Sequence, residues 1–283
     1  MKKLFGLVCS LSASTASTAF AQVEAIQPQL IKKSTIHASI TVGYGGIENP
    51  VLDADDVTSP ILPSFAYYSD NWYFDDFSVG YSLYETEKFY VDLLGRFNDD
   101  GFFFELDGVD KLYAVGVVRS SSGRPTLPTA SPIELTPIER DLSYMAGLSS
   151  AVNVYDDIWL SAAYVNDVTN VHNGYEILFN GYQIFELFSG TAGIEAGINY
   201  KNEELIDYYY TVYPTESKTR LLSYNLESAT NYYLKVSYEY PISDSFSLDF
   251  KLKHTWLDSN LANSNMINKN GYFSGFTGIT YHF

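Results

Sequence analysis

Apolar residues alternate with small or polar ones in one segment after another of this chain. In the first such segment Ile36, Ala38, Ile40, Val42 and Tyr44 share one parity, and His37, Ser39, Thr41 and Gly43 share the other. Near the end, Tyr232, Leu234, Val236, Tyr238 and Tyr240 oppose Tyr233, Lys235, Ser237 and Glu239. After a short turn at Pro241–Ser245, Phe246, Leu248, Phe250, Leu252 and Trp256 oppose Ser247, Asp249, Lys251, Lys253 and Thr255. The last segment, Asn270 to Phe283, sets Phe273, Gly275, Ile279, Tyr281 and Phe283 on one side, with Thr277 the polar exception. Ser274, Gly278, Thr280 and His282 fall on the other side, with Phe276 out of place. Strand side chains point alternately to the two faces, so each segment is a ribbon with one greasy face. The large aromatics at the ends of those faces suit the interfacial belts of a membrane barrel better than the core of a soluble sandwich.

The remaining segments extend this pattern. Pro60–Tyr68, Trp72–Tyr84 (as one strand), Phe89–Arg96, Leu142–Val152, Ile158–Val168, Tyr175–Phe185 and Thr191–Tyr200 read as strands. Tyr208–Tyr213 reads as a short aromatic strand stopped by Pro214. The expected fold is therefore all-β: a transmembrane antiparallel β-barrel of about 12 strands, or about 10 without the weak second and ninth. An even number lets both termini lie on the periplasmic side, with short periplasmic turns such as Pro241–Ser245 and longer outer links such as Ile47–Ser59 and Ser259–Gly271. From Asn98 to Asp141 the alternation fades, and Pro125, Pro128, Pro132 and Pro137 exclude a central strand over its second half. So long an irregular stretch suggests a lumen plug, a periplasmic partner-binding loop or a surface loop, against a plain insertion of no special role.

The N-terminus adds an address. Lys2 and Lys3 precede an apolar or small stretch from Leu4 to about Ala16, and Ala19-Phe20-Ala21 gives a small-x-small cleavage pattern. Residues 1–21 are expected to be a secretory signal, and residues 22–283 the barrel, with an irregular insertion near 98–141. Cys9, the one cysteine, falls within that signal, after Val8 rather than a small residue, so neither lipidation nor disulfide chemistry is expected. The formal net charge of −17 excludes a nucleic-acid binder, whose footprint would be basic. Aromatics make up 16% of the chain, which aromatic girdles require. The location implied is the outer membrane of a Gram-negative type cell, in contact with outer-membrane lipid and lipopolysaccharide.

Catalytic chemistry finds little support. No G-x-S-x-G or H-E-x-x-H signature appears, so no catalytic, metal-binding or cofactor-binding residue is assigned. Asp53, Asp55 and Asp56 lack the glycine and closing glutamate of a calcium loop. His172, near Asp167 and Glu176, is more simply a loop-ordering residue than a ligand. Lys235, Glu239, Asp249, Lys251 and Lys253 should face the lumen, where pairing with one another to fill a narrow barrel is favoured over lining an ion path. Phe283, with Tyr281 and Ile279 on the same parity, is expected to close the barrel and to serve as the recognition end for assembly.

Several local motifs, in this order, carry a resemblance: Phe77-Ser78-Val79-Gly80-Tyr81, Val171-His172-Asn173-Gly174-Tyr175, Ile206-Asp207-Tyr208-Tyr209-Tyr210-Thr211-Val212 and the terminal Gly278-Ile279-Thr280-Tyr281-His282-Phe283. The chain resembles the MipA/OmpV family, the MltA-interacting outer-membrane proteins, over most of its mature length. The Pro-rich half of Asn98–Asp141 departs from that pattern. The resemblance implies a non-enzymatic barrel that scaffolds murein-remodelling enzymes, linking a lytic transglycosylase to a penicillin-binding protein. On that reading, deletion within Asn98–Asp141 is expected to weaken partner capture. The alternatives are a small diffusion pore or a surface adhesin acting through the outer loops.

Overall fold

The computed structural model describes residues 36–52, 54–104, 138–155, 157–213, 216, 226–262 and 264–283. They form a closed antiparallel barrel: β1 (Ile36–Ile47), β2 (Val57–Tyr68), β3 (Trp72–Asp75), β4 (Ser78–Glu85), β5 (Phe89–Phe97), β6 (Tyr144–Tyr155), β7 (Ile158–Asp167), β8 (Tyr175–Leu187), β9 (Gly190–Lys201), β10 (Ala229–Ser243), β11 (Phe246–Trp256) and β12 (Gly271–His282). Neighbours in sequence are neighbours in the wall, and β1 pairs with β12 from Ser39 opposite His282 to Ile47 opposite Ser274. The expected signal at 1–21, Asp53 and most of the 98–141 stretch lie outside the described residues.

The alternation sorts the wall into two faces. Ile40, Val42, Tyr44, Leu234, Tyr240, Leu248, Phe250, Ile279 and Tyr281 are exposed on the outside, where lipid would cover them. Phe276, out of pattern in the sequence, is buried on the lumen side and packs against the bare backbone of Gly45. Phe283 is 73% exposed, donates its N–H to Ala38 O at 3.0 Å and stacks edge-on against Tyr281. Its ring is mostly exposed, so its removal should leave the unfolding free energy of the assembled barrel within about 0.5 kcal/mol of wild type. Insertion into the outer membrane should fall severalfold, as measured by the folded fraction in membrane extracts. Equal insertion would remove the assembly role proposed for Phe283.

The expected count of strands is right, but two of its members are not. Trp72–Tyr84 is not one strand: the chain reverses at Asp76 (φ 39°) and Phe77 (φ 78°), a two-residue turn with both residues left-handed. Asp-Phe gives no glycine signal for such a turn. Instead, Asp76 Oδ1 accepts the Phe65 N–H at 2.7 Å and Tyr68 OH donates to Asp75 Oδ2 at 2.6 Å, and these bonds hold the reversal in place. Four residues of β3 rise only about 13 Å, so this hairpin turns inside an apolar band about 25 Å tall. Beside it, β2 is paired on its far side only from Ala66 to Tyr68. Pro60 and Pro63 fall in the singly paired part, where a missing N–H costs little.

The second difference is Tyr208–Tyr213. It is no strand, because Glu203–Tyr210 is a helix, α1. Its buried residues are Leu205, Ile206, Tyr209 and Tyr210, a helical stripe that the run of three tyrosines hides from a period-two reading. Glu203 and Glu204 stand in the first turn, where the helix dipole favours acids.

The two ends of the barrel differ. Connections at 69–71, 86–88, 156–157, 188–189 and 244–245 are tight and share the end that carries Ile36 and Phe283. Connections at 48–56, 98–143, 168–174, 202–228 and 257–270 are longer and share the other end.

Candidate functional site

At the long-loop end the connections fold inward and fill the mouth. Leu205, Ile206, Tyr209 and Tyr210 of α1 are buried with Phe103, Met145, Val165, Met266 and Leu261, the last from a short helix α2 (Ser259–Ala262). A single apolar cluster, reaching Ile47 at the end of β1 and Val51 of the first connection, therefore sits inside the barrel mouth rather than around it. His172, Gly174, Tyr208, Tyr209 and Tyr210, from two of the sequence motifs, meet here. His172 is buried and packs its ring against Tyr208 and Tyr209, at 6.3 and 5.6 Å between centroids. Its Nδ1 accepts the Gly174 N–H at 2.9 Å and its Nε2 lies 3.0 Å from Ser143 Oγ. Burial holds the imidazole below its ordinary pKa, so the folded mouth favours the neutral ring and acid opposes the packing. Asp167 ties the same loop down by accepting the N–H groups of Thr169, His172 and Asn173.

Gly174 has a steric reason to be glycine. A Cβ there would lie 2.5 Å from Asn202 Oδ1 and 2.7 Å from Leu205 N, so any side chain would push α1 out of the mouth. Asn202 Oδ1 meanwhile accepts the Tyr175 N–H at 2.7 Å, joining the start of α1 to β8. Arg140 closes the opposite flank. It donates to Tyr208 O at 2.5 Å, to Thr211 O at 3.0 Å and to both Glu216 oxygens, and its guanidinium lies over the Tyr208 and Tyr213 rings. Burial alone would raise the Glu216 pKa; the Arg140 hydrogen bonds and the Tyr213 N–H outweigh it and hold the carboxylate below its ordinary value.

Beneath the apolar cluster lies a layer of buried charge. Glu176 is fully buried and accepts hydrogen bonds from Arg96 and from Asn98 Nδ2, the latter at 3.1 Å. Lys201 reaches both Asp100 oxygens at 2.6 and 2.5 Å, and Tyr210 OH donates to Asp100 Oδ1 at 2.5 Å. Asp100 belongs to the helical segment 99–104, so this network bolts both that segment and α1 to strands β5, β8 and β9. Arg96, Asp100, Glu176, Glu195 and Lys201 are buried charges beyond those expected from the sequence. The signal available was a charge on the small parity of its strand, as at Glu195.

Below this layer is a lumen cavity of about 140 Å³. The lysines and acids expected in the lumen all stand on inward parities of β10 and β11. The register sets like opposite like, Glu239 against Asp249 and Lys235 against Lys253. Lys235 Nζ meets Glu195 Oε2 of β9 at 3.1 Å, and Asp249 accepts from Thr280 Oγ1 of β12 and from Ser247 Oγ of its own strand at 3.2 Å. Lys253 Nζ lies 4.5 Å over the Tyr233 ring. Lys251 also stands on the inward parity, opposite Ser237. Among the described residues no group of three or more His, Cys, Asp or Glu is placed to hold a metal ion.

A family model described as MltA-interacting protein MipA matches residues 41–283, the whole barrel from the middle of β1. The chain belongs to that family. Several similar proteins are named as outer-membrane proteins. The YiaT outer-membrane protein of Escherichia coli K12 is 25% identical over 266 residues, 90% of this chain and 95% of its own. The MltA-interacting protein of the same organism is 24% identical over 250 residues, 87% of this chain and 90% of its own. OmpV of Vibrio cholerae is 27% identical over 138 residues, 48% of this chain and 53% of its own. The chain is thus an outer-membrane β-barrel. In such barrels short turns face the periplasm and long loops face outward, so the plugged mouth is the outer one. The described ends of the 98–141 stretch, 98–104 and 138–141, lie at that mouth.

Proposed function

We propose that the chain is a non-enzymatic outer-membrane scaffold for murein-remodelling enzymes, acting through its periplasmic turns. One observation carries the non-conducting part of this reading: the described outer mouth is filled by an apolar cluster clamped to the wall by buried ion pairs. A barrel sealed in this way is suited to holding a partner rather than passing solutes. The name of the 24% identical relative, MltA-interacting protein, supports a lytic transglycosylase as partner. A penicillin-binding protein is the second partner implied by the family. Murein lies in the periplasm, so the contact surface belongs to the tight turns and not to residues 98–141.

Replacing Thr86-Glu87-Lys88 and Asp244-Ser245 by glycine-serine turns of equal length should abolish co-purification of the lytic transglycosylase from detergent extracts. Deleting residues 105–137 should leave its recovery within about twofold of wild type, roughly the noise of 0.4 kcal/mol in binding. Loss with the deletion and retention with the turn variants would overturn the assignment. The pore alternative would require the plug to leave the mouth. The adhesin alternative is favoured only by the length of the outer loops.

A further inference from the structure

We propose that the lumen cavity is a binding site for a small hydroxylated oxyanion, a carboxylate or phosphate on a body of a few carbons. The chain carries a net charge of −17, yet Arg96, Lys201, Lys235 and Lys253 converge on this cavity, against Asp99 and Glu195 on its wall. Three of the four cations turn an edge to a carboxylate: Arg96 to Glu176, Lys201 to Asp100 and Lys235 to Glu195. What they leave over is the site. Arg96 is only 6% exposed, and its Nε and Nη1 groups have no hydrogen-bond partner. A buried guanidinium with unanswered N–H groups is costly unless something fills the space beside it. Lys253 has no carboxylate within ion-pair distance among the described residues; its Nζ rests on the Tyr233 ring.

Two further features define the ligand. Asn199 lines the same cavity, and its Oδ1 lacks a donor, so it is open to a ligand hydroxyl. The volume, about 140 Å³, is close to the roughly 150 Å³ that accepts benzene in an engineered cavity. That limits the ligand to about six or seven non-hydrogen atoms. Asp99 Oδ1, 3.8 Å from Arg96 Nη1, is too far for a hydrogen bond and near enough to repel an incoming anion. Entry would be from the periplasmic end. The outer end is packed, while Glu239, on the inward parity near the 244–245 turn, is exposed.

The test is calorimetric titration of the purified, detergent-solubilised full chain at low salt with D-glycerate, inorganic phosphate and, as a neutral control, glycerol. D-Glycerate binding that glycerol does not share, weakened at least about tenfold by Lys253→Met and tightened severalfold by Asp99→Asn, is expected. Phosphate binding with the same response to both variants would equally support an oxyanion site and assign it to the headgroup alone. Lys253→Arg guards against misfolding: it retains the charge and should retain binding. No heat with either anion, glycerol binding as tightly as glycerate, or binding unmoved by Lys253→Met would overturn the proposal, leaving water as the filler of the cavity.

Discussion

Glu176→Leu should lower the stability of the folded barrel by about 3 kcal/mol or more, because it strips the hydrogen-bonded partner from buried Arg96. Glu176 is 0% exposed and also receives Asn98 Nδ2, so the substitution leaves two groups unanswered in a place water reaches poorly. Lys201 suffers less, since it keeps both oxygens of Asp100. The double replacement Arg96→Met with Glu176→Leu should recover most of the loss, since replacing a whole buried pair by apolar groups is often neutral. Urea unfolding in lipid vesicles, followed by tryptophan fluorescence, would show it. An unshifted midpoint for the single variant would mean that the buried pair does not hold the layer together.

Putting two carboxylates into the apolar cluster, Leu205→Asp with Ile206→Asp, should expel α1 from the outer mouth and turn a silent barrel into a conducting one. Both residues are 0% exposed, and an unpaired carboxylate costs several kcal/mol in such surroundings. The wall itself, held by strand pairing all the way round, should survive. Planar-bilayer recordings of the double variant should show discrete current steps. A folded but silent variant would show that α1 is not the seal.

The wall was legible in the sequence because its physics is local: a period of two with lipid on one side writes itself into every strand. The closing of β12 on β1 followed from the same pattern, as did the tight and long links at opposite ends. The mouth was less legible. A helix of eight residues ending in three tyrosines carries too little periodicity to announce itself, and it folds only because Phe103, Met145 and Leu261 arrive from elsewhere to cover it. The split of Trp72–Tyr84 was hidden for a related reason, since the turn at Asp76-Phe77 is held by carboxylates reaching to β2. Lumen charges showed their face by parity, but their partners depend on register. Nothing in the sequence of β10 alone says that Lys235 will meet Glu195 and not Glu239.

The outer mouth is sealed, and wild-type protein in a planar bilayer tests this most directly. With folded barrel verified in the membrane, the expected trace is silent at low voltage. A steady ohmic current from the unmodified chain would contradict it.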